Sequence, residues 1–416
     1  MKFSTLTLNN FRAFKHIDLL LHPKLTVLAG VNGSGKTTLL DAYAIMLSRI
    51  VSYIEDGKIN KNTIRINDSD IKNKENRVKI SLTDGKKLTF SINKSRKGIS
   101  SSEKDDVQYA KKYAETIQQC IEDSRTQATI PVFIYYQTQR TVIDFPKRIR
   151  TEHKFDLVET YDNSLNGEAN FRLFFEWFRE RENLENQEIR SRQDFNYRDR
   201  QLNAVREALT EFLPHITDIQ IRRDGEQAMI AKENGREISI NQLSDGAKIL
   251  FALIGDLARR LAMANPAVDE PLLGNGIVLI DELELHLHPK WQREIIRKLP
   301  KVFPNIQFVV STHSPQIISE VAAESLYVLN WNKKSNQPEC TKPVRSLGLN
   351  TADVLSEIMD SRIINQEFDD KVKEVYQYIE QEQWEEAERT LEDLEKQYGE
   401  LPELLRASSY LMMLKP

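Results

Sequence analysis

Cysteine is almost missing from this chain: Cys120 and Cys340 are the only two in 416 residues. They stand far apart with no metal-ligand spacing, so a reducing cytoplasm is the expected setting. Long apolar runs are missing too. No stretch reaches the ~18 apolar residues that a membrane span needs. The opening MKFSTLTLNNFRAF lacks the apolar core of a signal peptide. A charge of one sign is also lacking. Lys and Arg number 58 against 62 Asp and Glu, for a net charge of -4. That balance argues against a nucleic-acid binder working by bulk charge, while leaving room for a local basic stripe. What is present is 40% hydrophobic residues, enough in a chain of this length for a large core or two domains.

The first fifty residues read as strands followed by a helix. TLTLNNFRAF and HIDLLLH alternate as half-buried strands do. LTVLAG is a short buried strand ending at Gly30, and KTTLLDAYAIMLSRIV carries helical spacing. VKISLTDGKKLTFSIN predicts a hairpin turning at Asp84-Gly85. GISSSEKDD predicts a loop. IPVFIYYQTQR, from 130 to 140, returns to a buried-strand pattern. Residues 165 to 215 are helical and dense in both charges, which favours a solvated face over a nucleic-acid patch.

From 216 onward the order is α/β. ITDIQIRR and AMIAKENGREISI are two strand candidates. QLSDGAK then leads into a long apolar helix, followed by strand GIVLID, helix WQREIIRKL and strand QFVVST. Strands alternating with helices imply a mostly parallel sheet with flanking helices. The tail from 350 is helical and acidic, a pair or trio of packed helices. WEEAERTLEDLEKQYG resembles a single tetratricopeptide-type unit there.

Four motifs carry chemistry. Gly30-Val31-Asn32-Gly33-Ser34-Gly35-Lys36-Thr37 fits the phosphate-binding loop without a mismatch. Glycines let backbone N–H groups approach the phosphates, and the following helix aims its positive end at them. Lys36 reaches the β- and γ-phosphates and the Thr37 hydroxyl ligands Mg²⁺. Thr38 follows on the same turn. Gly276 to Ile280 is an apolar strand ending in Asp281 and Glu282. Asp281 is expected to hold Mg²⁺ and Glu282 to polarise the attacking water. Gln242-Leu243-Ser244-Asp245-Gly246 places Ser244 and Gly246 at a helix start, an anion site. His313 ends the strand QFVVST, where open α/β sheets bind ligands.

Together these motifs resemble the SMC/RecF/OLD branch of the ABC-type ATPases, over residues 1 to about 330. The resemblance implies an ATP- and Mg²⁺-dependent ATPase head, residues 1 to 345, with an antiparallel β subdomain and a helical insertion near 165–215. Residues 346 to 416 form a helical, partner-binding subdomain. It further implies that Ser244, Asp245 and Gly246 of one copy close on the ATP of another, giving a homodimer or a higher even oligomer. The branch usually has two glycines after the signature serine, and Asp245 replaces the first. Asn10-Phe11-Arg12-Ala13-Phe14 is similar to the branch's N-F-R-x-F and brings Arg12 near the nucleotide. Gln137 or Gln139 is the Gln-loop residue, and Gln137 is an expected metal ligand.

Glu284-Leu285-His286-Leu287-His288-Pro289 narrows the likeness to OLD-type and PtuA-like ATPases of bacterial defence systems. His286 and His288 alternate as a metal pair can, but the resemblance favours a subunit-contact loop. No Toprim-like acidic cluster follows His313, and Asp369-Asp370 reads as a solvated face. The implied partner is therefore a separate HNH nuclease, as in Septu and retron systems, with nucleic acid (DNA or retron msDNA) as a further ligand. Two other functions compete: a RecF-like repair ATPase that clamps DNA, and a nucleotide-gated scaffold with little hydrolysis.

Overall fold

The computed structural model describes residues 1–86, 88–100, 103–124, 127–138, 155–166, 171–224, 228–332, 334–359, 366–399 and 401–415. Gln139 lies outside the described residues. The chain divides into two units, Met1–Leu349 and Asn350–Pro416.

The first unit opens with β1 (Phe3–Phe11), β2 (Phe14–Leu20), β3 (Leu25–Gly30) and helix α1 (Lys36–Asp56). Strands β4 (Arg77–Asp84) and β5 (Thr89–Ser95) follow, then α2 (Gln108–Ser124) and β6 (Val132–Tyr136). The helical insertion is α3 (Phe171–Arg192) and α4 (Arg200–Phe212). Next come β7 (Ile216–Arg222), β8 (Ala228–Glu233), β9 (Arg236–Ser239) and α5 (Asp245–Ala264). The unit ends with β10 (Gly276–Ile280), α6 (Pro289–Val302), β11 (Ile306–Thr312), the single turn α7 (Pro315–Ile318), β12 (Leu326–Asn332) and β13 (Gln337–Thr341).

The central sheet has the order β13-β12-β3-β11-β10-β6. Every pairing in it is parallel except that of β12 with β13 at the edge. Strands β6, β10 and β11 are buried at every residue. A parallel sheet covered on both faces demands this, and it is why these segments read as unbroken apolar runs. The parallel register brings the C-terminal ends of β3, β6, β10 and β11 to one edge, where such sheets bind ligands.

A second, antiparallel sheet has the order β2-β1-β4-β5. Strand β1 turns Phe3, Leu6, Leu8 and Phe11 inward. Buried Gln307 of β11 ties it to the central sheet: Phe3 N donates to Oε1 at 3.0 Å and Nε2 donates to Phe3 O at 2.8 Å. The third sheet, β7-β8-β9, corrects the sequence reading. AMIAKENGREISI is not one strand but two, turning at Asn234 (φ 49°) and Gly235 (φ 82°). Asn-Gly takes that left-handed pair readily.

In the insertion the two charge signs pair with each other. Arg206 Nη1 lies 2.8 Å from Glu185 Oε2, and Arg181 meets Asp199. Glu182, Glu185 and Asp199 are buried in these pairs, so this part of the insertion is an internal ion-pair network and not the solvated face that the sequence suggests. Helix α5 is buried nearly end to end and carries charge inside. Fully buried Asp256 accepts from Arg259 at 2.7 Å, Arg260 at 2.8 Å and the Tyr136 hydroxyl at 2.9 Å. The last of these bonds fastens α5 to the end of β6, while the first two lie within the helix.

The second unit starts with a short turn, α8 (Thr351–Asp353), and holds α9 (Gln366–Glu380), α10 (Trp384–Tyr398) and α11 (Pro402–Leu414). The last three share an apolar core that includes Val375, Leu391 and Leu404. Asp369 pairs with Lys373 at 2.6 Å on the exposed side of α9. Among the described residues no helix is long and apolar enough to cross a membrane.

Candidate functional site

The phosphate loop joins β3 to α1. Gly35 has φ 101°, and a Cβ there would come within 2.8 Å of the Phe14 ring, so only glycine fits the turn. Asn32, Gly33 and Thr37 are exposed at the sheet edge, and Thr38 is half-buried. Lys36 is 5% exposed and donates to the carbonyls of Gly30 at 2.9 Å and Val31 at 3.0 Å. Burial pushes the Lys36 ammonium down to about 8, against the opposing pull of Asp281, Glu284 and Glu282. The Ser34 hydroxyl is buried without a hydrogen-bond partner among the described residues. Such an orphan inside a ring of glycines suits a phosphate oxygen.

The acids arrive on β10. Thr37 Oγ1 donates to Asp281 Oδ2 at 2.9 Å, and the Ser311 hydroxyl donates to Asp281 Oδ1. The same Ser311 oxygen accepts from Glu282 N at 2.8 Å. Ser311 therefore fixes both acids from the neighbouring strand. Glu282 holds φ 47°, a left-handed conformation costly for a residue with a side chain. Asp281 N donates to Tyr136 O at 2.8 Å, so Gln137, next along from Tyr136, emerges beside Asp281.

His313 follows β11. Its main-chain N–H donates to Glu284 Oε1. Burial and the Lys36 charge hold its ring below the ordinary histidine value, with Glu284, Asp281 and a bond to Gly30 pulling the other way. The imidazole is thus neutral at pH 7 and can both donate and accept.

Two predicted groups lie apart from this cluster. Ser244 caps α5, accepting from Ala247 N at 3.4 Å. Asp245 turns outward, its side chain 85% exposed and 3.3 Å from Lys248. Gly246 lies against the loop after the acids, where a Cβ would come within 2.6 Å of the His286 carbonyl. Arg12 is held on the flank of α1, at 2.5 Å from Asp41 and 2.9 Å from Asp70. Asp41 also accepts from the Tyr135 hydroxyl at 2.9 Å. His288 caps α6, its Nδ1 accepting from Lys290 N at 3.3 Å. Among the described residues no cluster of three or more His, Cys, Asp or Glu forms a metal site.

Ser311, Glu284, Asp41 and Tyr135 are the members that sequence reasoning missed. Ser311 and Glu284 sit within quoted motifs. Only the register of β10 against β11 reveals that they face the acids and His313.

Comparison with known proteins adds three relatives and a family. The family described as "AAA domain, putative AbiEii toxin, Type IV TA system" matches residues 25–319. The "Retron Vc95 probable ATPase" of Vibrio cholerae serotype O1 biovar El Tor is 30% identical over 383 residues, 79% of this chain and 74% of its own. The "Retron Ec83 probable ATPase" of Escherichia coli is 27% identical over 401 residues, 82% and 73% of the two chains. The "Septu protein PtuA" of Bacillus mycoides (strain KBAB4) is 32% identical over 117 residues, 28% of this chain and 16% of its own.

Proposed function

Since the chain belongs to the family described as "AAA domain, putative AbiEii toxin, Type IV TA system", we propose that it is an ATPase of anti-phage defence that dimerises around ATP and controls a separate nuclease. One observation carries the ATPase reading: the Thr37–Asp281 bond of 2.9 Å. It joins the phosphate loop to the acidic strand end, the two elements that Mg²⁺-bound triphosphate needs side by side. The orphan Ser34 hydroxyl supports a phosphate at the loop.

Backbone N–H groups of Gly33, Ser34 and Gly35 cradle the phosphates, and Lys36 leaves its two carbonyl partners for the β- and γ-oxygens. Thr37, Asp281 and Gln137 would hold Mg²⁺, which supplies charge neutralisation at the γ-phosphate. Glu282 orients the attacking water and takes its proton. Neutral His313 bonds the γ-phosphate or that water. Ser244 and Gly246 of the second copy close the site, and Asp245 stays clear because it faces solvent.

The retron and Septu relatives support the defence role. The nuclease is a separate HNH protein, docked on the second unit, which exposes Leu405, Met412 and Met413. Turnover assays test the core of this reading. Lys36→Ala loses ATP binding. Glu282→Gln keeps binding, loses hydrolysis and accumulates a dimer by light scattering. Wild-type turnover in Glu282→Gln, or an unchanged mass with ATP, overturns it. DNA cleavage by the pure chain removes the need for a partner nuclease, and co-purification that survives deletion of Asn350–Pro416 moves the docking surface elsewhere.

A further inference from the structure

Glu284 has a role that the four motifs leave unexplained. Its Oε1 accepts the main-chain N–H of His313. Its Oε2 is shielded from solvent and has no hydrogen-bond partner among the described residues. The first contact needs only a neutral acceptor, and an amide oxygen takes a single N–H equally well. A shielded carboxylate oxygen without a donor is a standing penalty on the folded chain, and each such atom calls for a reason. A glutamine here would avoid that penalty on the anion, yet the residue is a glutamate.

The surroundings give the reason. Lys36 and His313 both lie within the field of Glu284, together with Asp281. These are the groups around the γ-phosphate position. Glu284 also stands on the loop that follows Glu282, while His313 ends a different strand, β11. One carboxylate thus spans the two halves of the hydrolytic apparatus.

We propose that Glu284 is a positioning residue for hydrolysis: Oε1 fixes His313 to the Glu282 loop, and Oε2 is a negative acceptor kept for a donor of the loaded site. This deepens the ATPase reading and rests on it. Two consequences separate it from a merely structural tie. Removing the charge lessens repulsion of the triphosphate, so binding holds or tightens. Removing the acceptor leaves the hydrolytic groups less well aligned, so turnover falls.

The test uses the full chain as Glu284→Gln, which keeps an oxygen for the His313 N–H. Affinity for a non-hydrolysable ATP analogue with Mg²⁺ is measured beside ATP turnover and thermal melting. The expected result is an affinity within about threefold of wild type, or tighter, and a kcat lower by about tenfold or more. Glu284→Asp, which keeps the charge on a shorter arm, is expected to recover part of the lost turnover, and it decides the matter if Glu284→Gln melts early. Wild-type turnover in Glu284→Gln overturns the proposal. So does a loss of turnover that only follows weakened binding, or Glu284→Asp no better than Glu284→Gln. A wild-type chain that hydrolyses no ATP is a different result, which removes the ATPase reading itself.

Discussion

Thr37 Oγ1 and Asp281 Oδ2, 244 positions apart in sequence, meet at 2.9 Å. The bond occupies the place where an alcohol ligand and a carboxylate would share a divalent cation. Asp281→Asn keeps the shape and can still meet the Thr37 hydroxyl, but loses the charge. It is expected to weaken Mg²⁺-dependent ATP affinity by about tenfold or more, with little change in ATP binding without metal. Titration calorimetry with and without Mg²⁺ checks both halves.

Lys36 gives a pH dependence of definite sign. In the free protein its ammonium ionises at about 8, through burial, whereas in an unfolded chain it does so at about 10.4. Between those values the unfolded state binds more protons, so the free protein gains stability as pH rises. ATP binding needs the ammonium and runs the opposite way. Affinity is flat below about pH 8 and falls by up to tenfold per unit above it. Melting curves and binding titrations at pH 7, 8 and 9 should therefore move in opposite directions. A parallel fall in both contradicts the assignment.

Asp245 is 85% exposed and its pair with Lys248 is open to solvent, so it contributes little within the single chain. Asp245→Gly, which restores the glycine usual in the resembled branch, is expected to leave the melting temperature of the ATP-free protein within a few degrees. It should increase the dimer fraction formed with ATP. Sedimentation of Asp245→Gly alone and with ATP separates these two effects.

Asp256 is the reverse case. It is fully buried and pairs with both Arg259 and Arg260, which are buried with it. Asp256→Ala strands two guanidinium groups and removes the partner of the Tyr136 hydroxyl. A loss of about 3–5 kcal/mol is expected, from the cost of breaking a buried pair on one side. Denaturant unfolding measures it.

The sequence carried the contiguous parts of this site well. The phosphate loop, Asp281 with Glu282, and His313 each follow a buried strand, and an apolar run bounded by such residues is readable without knowing its neighbours. Parts that depend on pairing were not readable. Ser311 reaches both acids only because β10 and β11 lie parallel with Ile280 beside Val310. Glu284 reaches His313 for the same reason. The hairpin at Asn234-Gly235 was missed, although the dipeptide itself marks the turn. The alternating pattern across it hid the break. Asp245 looked out of place because linear order cannot tell which way a side chain at a helix start points.

The left-handed backbone of Glu282, φ 47°, has a further consequence. Glycine adopts that conformation without the side-chain penalty, so Glu282→Gly is expected to unfold at a higher temperature than the wild type, by an amount equivalent to about 1 kcal/mol. The same change removes the group that would address the attacking water. A search for sturdier variants would therefore select an inert protein at this position. Its glutamate costs stability, and a requirement for turnover would explain why it is kept.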